Sequence, residues 1–126
     1  MLEIVSNIKR VLVVDDDPQV NYLFSRQLRN AGFLCMSAAS VSEAMEQIDR
    51  HGVPDIVVLD LQLGDGDGTA VLDYIRQQGE NTKVVVVSAN AFARHYNTID
   101  YTIDHMLVKP VSPRGLSVFI HELSMV

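Results

Sequence analysis

The sequence predicts a doubly wound α/β sandwich, in which helices cover both faces of a parallel sheet. Short runs rich in valine, isoleucine and leucine alternate with longer amphipathic segments, and this alternation is typical of βα units. Two of the runs, Ile56–Leu59 and Val84–Val87, are apolar without a break. Unbroken apolar strands are expected where helices bury both faces of a sheet, so five βα units around one parallel sheet are the simplest architecture.

Five segments are predicted as strands. They are Val11–Val14, Phe33–Ser37, Asp55–Leu59, Lys83–Val87 and His105–Val108. Because crossovers between parallel strands are right-handed, few topologies remain, and the flavodoxin-like strand order 2-1-3-4-5 is the one expected here. In such sheets a ligand site lies at the carboxyl ends of the strands, near the point where the strand order reverses.

Helix starts are indicated by side chains that can cap a first turn. The predicted starts are Asp17-Pro18, Ser40 with Glu43 as a capping box, Asp67 or Thr69, and Ser112-Pro113. The first helix is predicted to turn one apolar face inward, made of Val20, Leu23, Phe24, Leu28 and Ala31. The fourth helix, within Asn90–Asp100, has the weakest pattern because most of that segment is polar.

Length and charge narrow the classes of function. The 126 residues predict a single domain over 1–126, and the formal net charge of −6 argues against direct binding to nucleic acid or an acidic membrane. No apolar stretch approaches the roughly 20 residues of a membrane span, and the N-terminus lacks a signal-peptide pattern, so the cytoplasm is the expected compartment. Cys35 is the single cysteine and is expected to be a small core side chain.

Chemically active side chains follow four of the predicted strands. The first strand ends in Asp15 and Asp16, the third in Asp60, the fourth in Ser88 and the fifth in Lys109. Three carboxylates at one edge repel one another unless a cation binds them, and an all-oxygen site of this kind suits Mg²⁺. A lysine and a hydroxyl complete a site for a phosphoryl group, with one carboxylate as the nucleophile.

The motifs around these residues resemble the receiver domains of two-component response regulators, over nearly the whole chain. The segments that carry the resemblance are Val11–Pro18, Asp55–Leu61 with Asp67-Gly68, Val87-Ser88-Ala89 and Val108-Lys109-Pro110. The resemblance implies a signalling domain rather than an enzyme with turnover. It is compatible with a stand-alone regulator, similar to the chemotaxis type, and with a receiver cut from a longer protein.

The resemblance also implies a role for each residue of the site. Asp60 attacks the phosphohistidine of a sensor histidine kinase or a histidine phosphotransfer protein. Asp15 and Asp16 hold Mg²⁺ together with Asp60 and the backbone carbonyl of Gln62. Lys109 pairs with the phosphoryl oxygens, its bond to Pro110 is cis, and Ser88 turns toward the phosphoryl group.

The resemblance also implies which surface transmits the signal. The fourth helix, fifth strand and fifth helix form the surface for an effector domain, a partner or a homodimer. Gln62 and Asn90 occupy the positions that tune the lifetime of the acyl phosphate, and neither amide can act as a base. Met106 stands where the family usually has an aromatic switch residue, while strand alternation turns its neighbour His105 the other way.

Two further departures and three alternatives follow from the same residues. Gly64 replaces a frequent proline, which predicts a more mobile loop, and Val111 replaces a larger apolar residue. The Asp-Gly-Asp-Gly run does not fit a calcium loop, because Leu63 and Tyr74 would occupy its ligand positions.

One alternative is a divergent receiver that docks proteins without phosphorylation. A haloacid-dehalogenase-type phosphatase would need an acid at Gln62, and a flavin or dinucleotide binder would need a glycine-rich first turn.

Overall fold

One parallel sheet organises the protein, whose computed structural model describes residues 8–79, 81–89 and 103–126. The strands are β1 (Arg10–Val14), β2 (Leu34–Ala38), β3 (Ile56–Leu59), β4 (Gln62–Leu63), β5 (Gly66–Asp67), β6 (Lys83–Ser88) and β7 (His105–Val108). The five-stranded sheet has the order β2-β1-β3-β6-β7, while β4 and β5 pair with each other as a small antiparallel hairpin. Apart from this hairpin, the order is the predicted 2-1-3-4-5, so the predicted fold class is confirmed.

The described helices cover both faces of the sheet. They are α1 (Pro18–Asn30), α2 (Val41–His51), α3 (Thr69–Gln78) and α4 (Pro113–Ser124). Alternate strand residues point to opposite faces and form two apolar cores, one against α2 and α3 and the other against α1 and α4. The predicted fourth helix, within Asn90–Asp100, lies outside the described residues. Within the described ranges, no helix is both long enough and apolar enough to cross a bilayer.

Three of the predicted helix caps are confirmed. The Asp17 carboxylate accepts hydrogen bonds from the first-turn amides of α1, Ser40 accepts one from Glu43 N at 3.1 Å, and Ser112 accepts one from Gly115 N at 2.9 Å. Each bond satisfies a first-turn N–H that has no partner inside its helix. The helices therefore begin where their capping residues predict.

Helix α3 begins at Thr69, but its cap residue is Gly68 and no side chain caps it. The Asp67 carboxylate accepts a hydrogen bond from Thr69 N at 2.9 Å, but Asp67 itself lies one residue before the capping position. Gly68 is required by space rather than by its backbone angles, since a Cβ there would lie 2.7 Å from the Asp60 carbonyl oxygen. Helix α3 thus starts directly against Asp60, the residue that follows β3.

Other predictions about local structure need correction. Leu23 is 39% exposed and Ala31 is exposed beyond the end of α1, so neither belongs to its buried face. β2 begins at Leu34 because the Phe33 amide donates to Leu28 O at the end of α1 instead of joining the sheet. β3 begins one residue later than predicted, at Ile56, although the backbone of Asp55 still bonds to both neighbouring strands, with Asp55 N donating to Arg10 O and Lys83 N donating to Asp55 O.

Candidate phosphoacceptor site

Asp15 and Asp60 lie side by side at the carboxyl ends of β1 and β3, which are neighbours in the sheet. Backbone hydrogen bonds continue the sheet past both strands, with Asp15 N donating to Ala38 O and Asp60 N donating to Val14 O. Both residues are buried, with exposures of 3% and 8%, while the adjacent Asp16 is exposed. One carboxylate oxygen from each of the three aspartates lies within 4.8 Å of the others.

Lys109 joins this cluster from the end of β7. Its amide donates to Ser88 O at 2.9 Å, and its ammonium lies 2.8 Å from Asp15 Oδ2 and 3.0 Å from Asp60 Oδ2. Burial acts to lower the pKa of Lys109, but the hydrogen bonds to Asp15 and Asp60 outweigh it and hold the pKa above its usual value. The cis peptide bond between Lys109 and Pro110 is confirmed.

The two buried carboxylates are held in the same way. Asp15 Oδ1 accepts a hydrogen bond from Asp17 N at 2.9 Å, and Asp60 Oδ1 accepts one from Gln62 N at 2.9 Å. In each case the second oxygen contacts the Lys109 ammonium. Both carboxylates therefore have fixed directions, since each is bonded through one oxygen to its own loop and through the other to the lysine.

The charges and donor atoms of the site fit a divalent metal ion. Asp15, Asp16 and Asp60 carry three formal negative charges and Lys109 carries one positive charge, which leaves a formal charge of −2. The three aspartates offer only oxygen donors, and one of them, Asp16, is exposed to solvent. Mg²⁺ prefers oxygen donors, binds few carboxylates and keeps several of its waters. Mg²⁺ is thus the cation that suits this donor set best.

The other predicted residues lie on β6 and β7 or outside the described residues. Ser88 is buried at the end of β6, next to the strand that carries Lys109. Met106 is half-buried and packs against the core under α2 and α3. His105 is exposed, and its ring meets Phe119 edge-on at 4.9 Å, so it faces the other side as predicted. Asn90 lies outside the described residues.

Sequence reasoning missed Asn21, which supports the site from α1. Its buried amide group donates to Asp15 O at 2.9 Å and to Ala38 O at 2.8 Å, and its oxygen accepts from Ser25. The amide therefore ties the helix to the ends of β1 and β2, close to the acidic cluster. A signal was present, because two polar residues four positions apart interrupt the predicted inward face of the helix.

The fold and the strand order place the protein in the flavodoxin-like class of α/β proteins. Within that class, the chain belongs to the response regulator receiver domain family, whose model matches residues 11–121. The match spans all the described residues of the acidic cluster as well as Lys109. It confirms the family that the sequence motifs indicated.

Individual relatives agree with this assignment. The chain is 34% identical over 103 residues to the sensor histidine kinase RcsC of Salmonella typhimurium, covering 81% of this chain and 11% of that protein. It is 26% identical over 112 residues to the probable transcriptional regulator ycf27 of Guillardia theta, covering 89% of this chain and 44% of that protein. The chain therefore spans less than half the length of either relative.

A solved structure shows the same fold. The CheY-like response regulator receiver domain protein of Methanospirillum hungatei JF-1 superposes with a TM-score of 0.83 at 26% identity, covering 94% of both chains. Receiver domains are signalling domains that interact with sensor histidine kinases, and they generally bind Mg²⁺ at an acidic pocket.

Proposed function

We propose that this protein is a phosphoacceptor switch, in which Asp60 takes a phosphoryl group from a sensor histidine kinase or a histidine phosphotransfer protein. The observation that carries the proposal is the Lys109 ammonium, which contacts both Asp15 and Asp60 at the carboxyl edge of the sheet. A nucleophilic carboxylate, a fixed cation and further acidic ligands are the parts that phosphoryl transfer to aspartate requires.

The transfer exchanges one bond to phosphorus for another. A carboxylate oxygen of Asp60 attacks the phosphorus and forms the new P–O bond, while the P–N bond to the donor's imidazole breaks. The electron pair of that bond stays on the imidazole nitrogen, which takes up a proton. Lys109 then has phosphoryl oxygens to pair with in place of the Asp60 carboxylate oxygen it contacts now.

Asp15, Asp16 and Asp60, with the backbone carbonyl of Gln62, would hold Mg²⁺ at this edge. The bound ion would supply two positive charges to offset the negative charge of the phosphoryl oxygens. The chain's own contribution is to fix the carboxylates, because Asp15 and Asp60 each accept a backbone hydrogen bond from two residues further on. Fixed donors cost little reorganisation when the charged group arrives.

The phosphodonor needs a surface beside the site, and an apolar groove of about 410 Å³ provides one. The groove runs between α1 and the segment after Lys109, and Lys109 itself lines it. Its apolar walls include Leu23, Phe24, Pro110 and Val111. We therefore assign this groove as the contact surface for the phosphodonor protein. Leu23, which was predicted to be buried, would be part of this surface.

The proposal also covers the output surface and the lifetime of the acyl phosphate. Ser88 turns toward the phosphoryl group, Met106 replaces the aromatic switch residue, and the region of the predicted fourth helix, β7 and α4 meets an effector domain, a partner or a second copy. Gln62 and Asn90 leave the acyl phosphate to hydrolyse without an added base. The chain acts as one receiver domain over 1–126, in the cytoplasm, alone or within a longer protein.

Phosphoryl uptake tests this proposal. Incubation with acetyl phosphate and Mg²⁺ is expected to add the mass of one phosphoryl group, measured on the intact protein. The adduct should be absent from Asp60→Asn and when EDTA removes the metal. A folded wild-type protein that stays unmodified with several donors would contradict the proposal and favour the alternative of a docking module that works without phosphorylation.

A further inference from the structure

The loop between Asp60 and α3 contains three glycines but is held in a defined shape. Gln62 pairs with Asp67 and Leu63 pairs with Gly66, so the loop forms a short hairpin with Gly64 and Asp65 at its tip. Leu61 and Leu63, which belong to this loop, are buried in the core against α2 and α3. A Cβ placed on Gly64 would lie 3.8 Å from Asp16 Oδ2, so the tip passes close to the acidic cluster.

The Asp65 carboxylate fastens this tip to the start of α2. Its Oδ1 accepts a hydrogen bond from Val41 N at 2.9 Å, and its Oδ2 accepts bonds from Ser42 N at 3.2 Å and Ser42 Oγ at 3.3 Å. These first-turn amides have no partner inside their own helix, and a negative charge is favoured at this end. The two backbone hydrogen bonds hold the pKa of Asp65 below its usual range.

Helix α2 does not depend on Asp65 alone for its cap. Ser40, directly before the helix, already accepts a hydrogen bond from Glu43 N, and Ala44 N donates to Ser40 O within the helix pattern. Asp65 lies 24 residues after Val41 in the sequence. Its contacts therefore restrain the hairpin at least as much as they cap the helix.

We propose that Asp65 is a positioning residue that anchors the hairpin after Asp60 to helix α2 and thereby places the Gln62 carbonyl for Mg²⁺. The metal part of this inference rests on the proposed function. A glycine-rich loop loses much conformational freedom when it is ordered, and that loss lowers metal affinity if it occurs only on binding. The Asp65 anchor orders the loop beforehand.

Two alanine variants of the whole chain separate anchoring from capping. Asp65→Ala removes the anchor. Ser40→Ala removes the local cap of the same helix and a contact to Ser42 Oγ, but it leaves both backbone hydrogen bonds to Asp65 in place. In metal-free protein, Asp65→Ala is expected to speed amide hydrogen exchange across 61–68, and Ser40→Ala is not. Calorimetric titration should show that Mg²⁺ affinity falls about tenfold in Asp65→Ala, the lower end for loss of an outer-sphere partner, and stays near wild type in Ser40→Ala.

A third variant separates the hydrogen bonds from the charge. Asp65→Asn removes the charge but keeps one oxygen that can accept from Val41 N, so its affinity should lie between wild type and Asp65→Ala. Equal losses in both variants that disappear at high salt would overturn the proposal in favour of simple charge attraction. Unchanged exchange in Asp65→Ala would overturn it directly. Wild-type protein that binds no Mg²⁺ would contradict both the proposed function and the metal part of this inference.

Discussion

Replacing Lys109 with methionine is expected to slow phosphoryl uptake from acetyl phosphate by roughly 100-fold at saturating Mg²⁺, the usual loss when one fixed positive donor is removed. Methionine keeps the aliphatic stem and removes only the ammonium, so the packing of the side chain changes little. Intact-mass time courses of the two proteins measure the effect. A variant that takes up the phosphoryl group at the wild-type rate would show that Lys109 does not pair with it.

The same variant is expected to be less stable in the absence of metal. Asp15 and Asp60 are buried, and each loses its contact with the ammonium. Removing one partner of a buried ion pair is costly, and since the Lys109 side chain is 21% exposed we expect a fall of about 2 kcal/mol in the free energy of unfolding. Saturating Mg²⁺ should recover part of this loss, because a divalent ion again offsets the carboxylate charges.

The pH dependence of that loss has a definite sign. The folded-state pKa of Lys109 is raised, so its contribution to stability is fully present below the unfolded-state value of about 10.4. The contribution disappears as the pH rises through the folded-state pKa. Urea unfolding should therefore show the full difference in unfolding free energy between the two proteins at neutral pH. The difference should shrink once the pH exceeds the unfolded-state pKa of lysine. Lys9→Ala removes one positive charge at the opposite end of β1 and serves as the control.

A second large effect is expected from Gly68→Ala. A Cβ at this position would lie 2.7 Å from the Asp60 carbonyl oxygen and 2.8 Å from Leu61 Cα, and both are backbone atoms that cannot turn aside. The start of α3 must move away from the end of β3, and overpacking of this kind costs about 2 kcal/mol in the free energy of unfolding. Because Asp60 itself is displaced, phosphoryl uptake should also slow by about tenfold.

Gly79→Ala is the matched control for this prediction. Gly79 directly follows α3 and has a φ of 175°, an extended angle open to any residue, and a Cβ added there would meet nothing within 4 Å. The same substitution should therefore leave unfolding and phosphoryl uptake close to wild type. Equal behaviour of the two alanine variants would mean that the close approach at Gly68 does not constrain the site.

The parts of the fold and site that depend on strand ends could be predicted from the sequence. Asp15, Asp60 and Lys109 each follow an apolar run, and parallel strands bring their carboxyl ends to one edge, so their meeting follows from topology. Asp17, Ser40 and Ser112 could be predicted as caps because the capping bond spans only two or three residues.

The parts that depend on contacts between distant segments could not. Asn21 bonds to carbonyls at the ends of two strands, and its spacing from Ser25 marks a polar site on the helix without indicating those partners. Asp65 bonds to a helix that begins 24 residues earlier, and this contact leaves no local pattern. Leu23 matches the apolar spacing of α1 but faces a groove, since periodicity does not show which apolar positions lie at the edge of the buried face. The sequence also did not indicate that the loop containing Gly64 pairs as the β4–β5 hairpin.

The position of the phosphoryl group tests most directly whether Asp60 is the phosphoacceptor. Protein treated with acetyl phosphate and Mg²⁺ is reduced with borohydride, which converts an aspartyl phosphate to homoserine, and its peptides are then sequenced by mass spectrometry. We predict homoserine at position 60 and an unchanged aspartate at positions 15 and 16. Conversion at Asp15 or Asp16 with position 60 unchanged, or a phosphoryl group found on another residue, would contradict the assignment of Asp60.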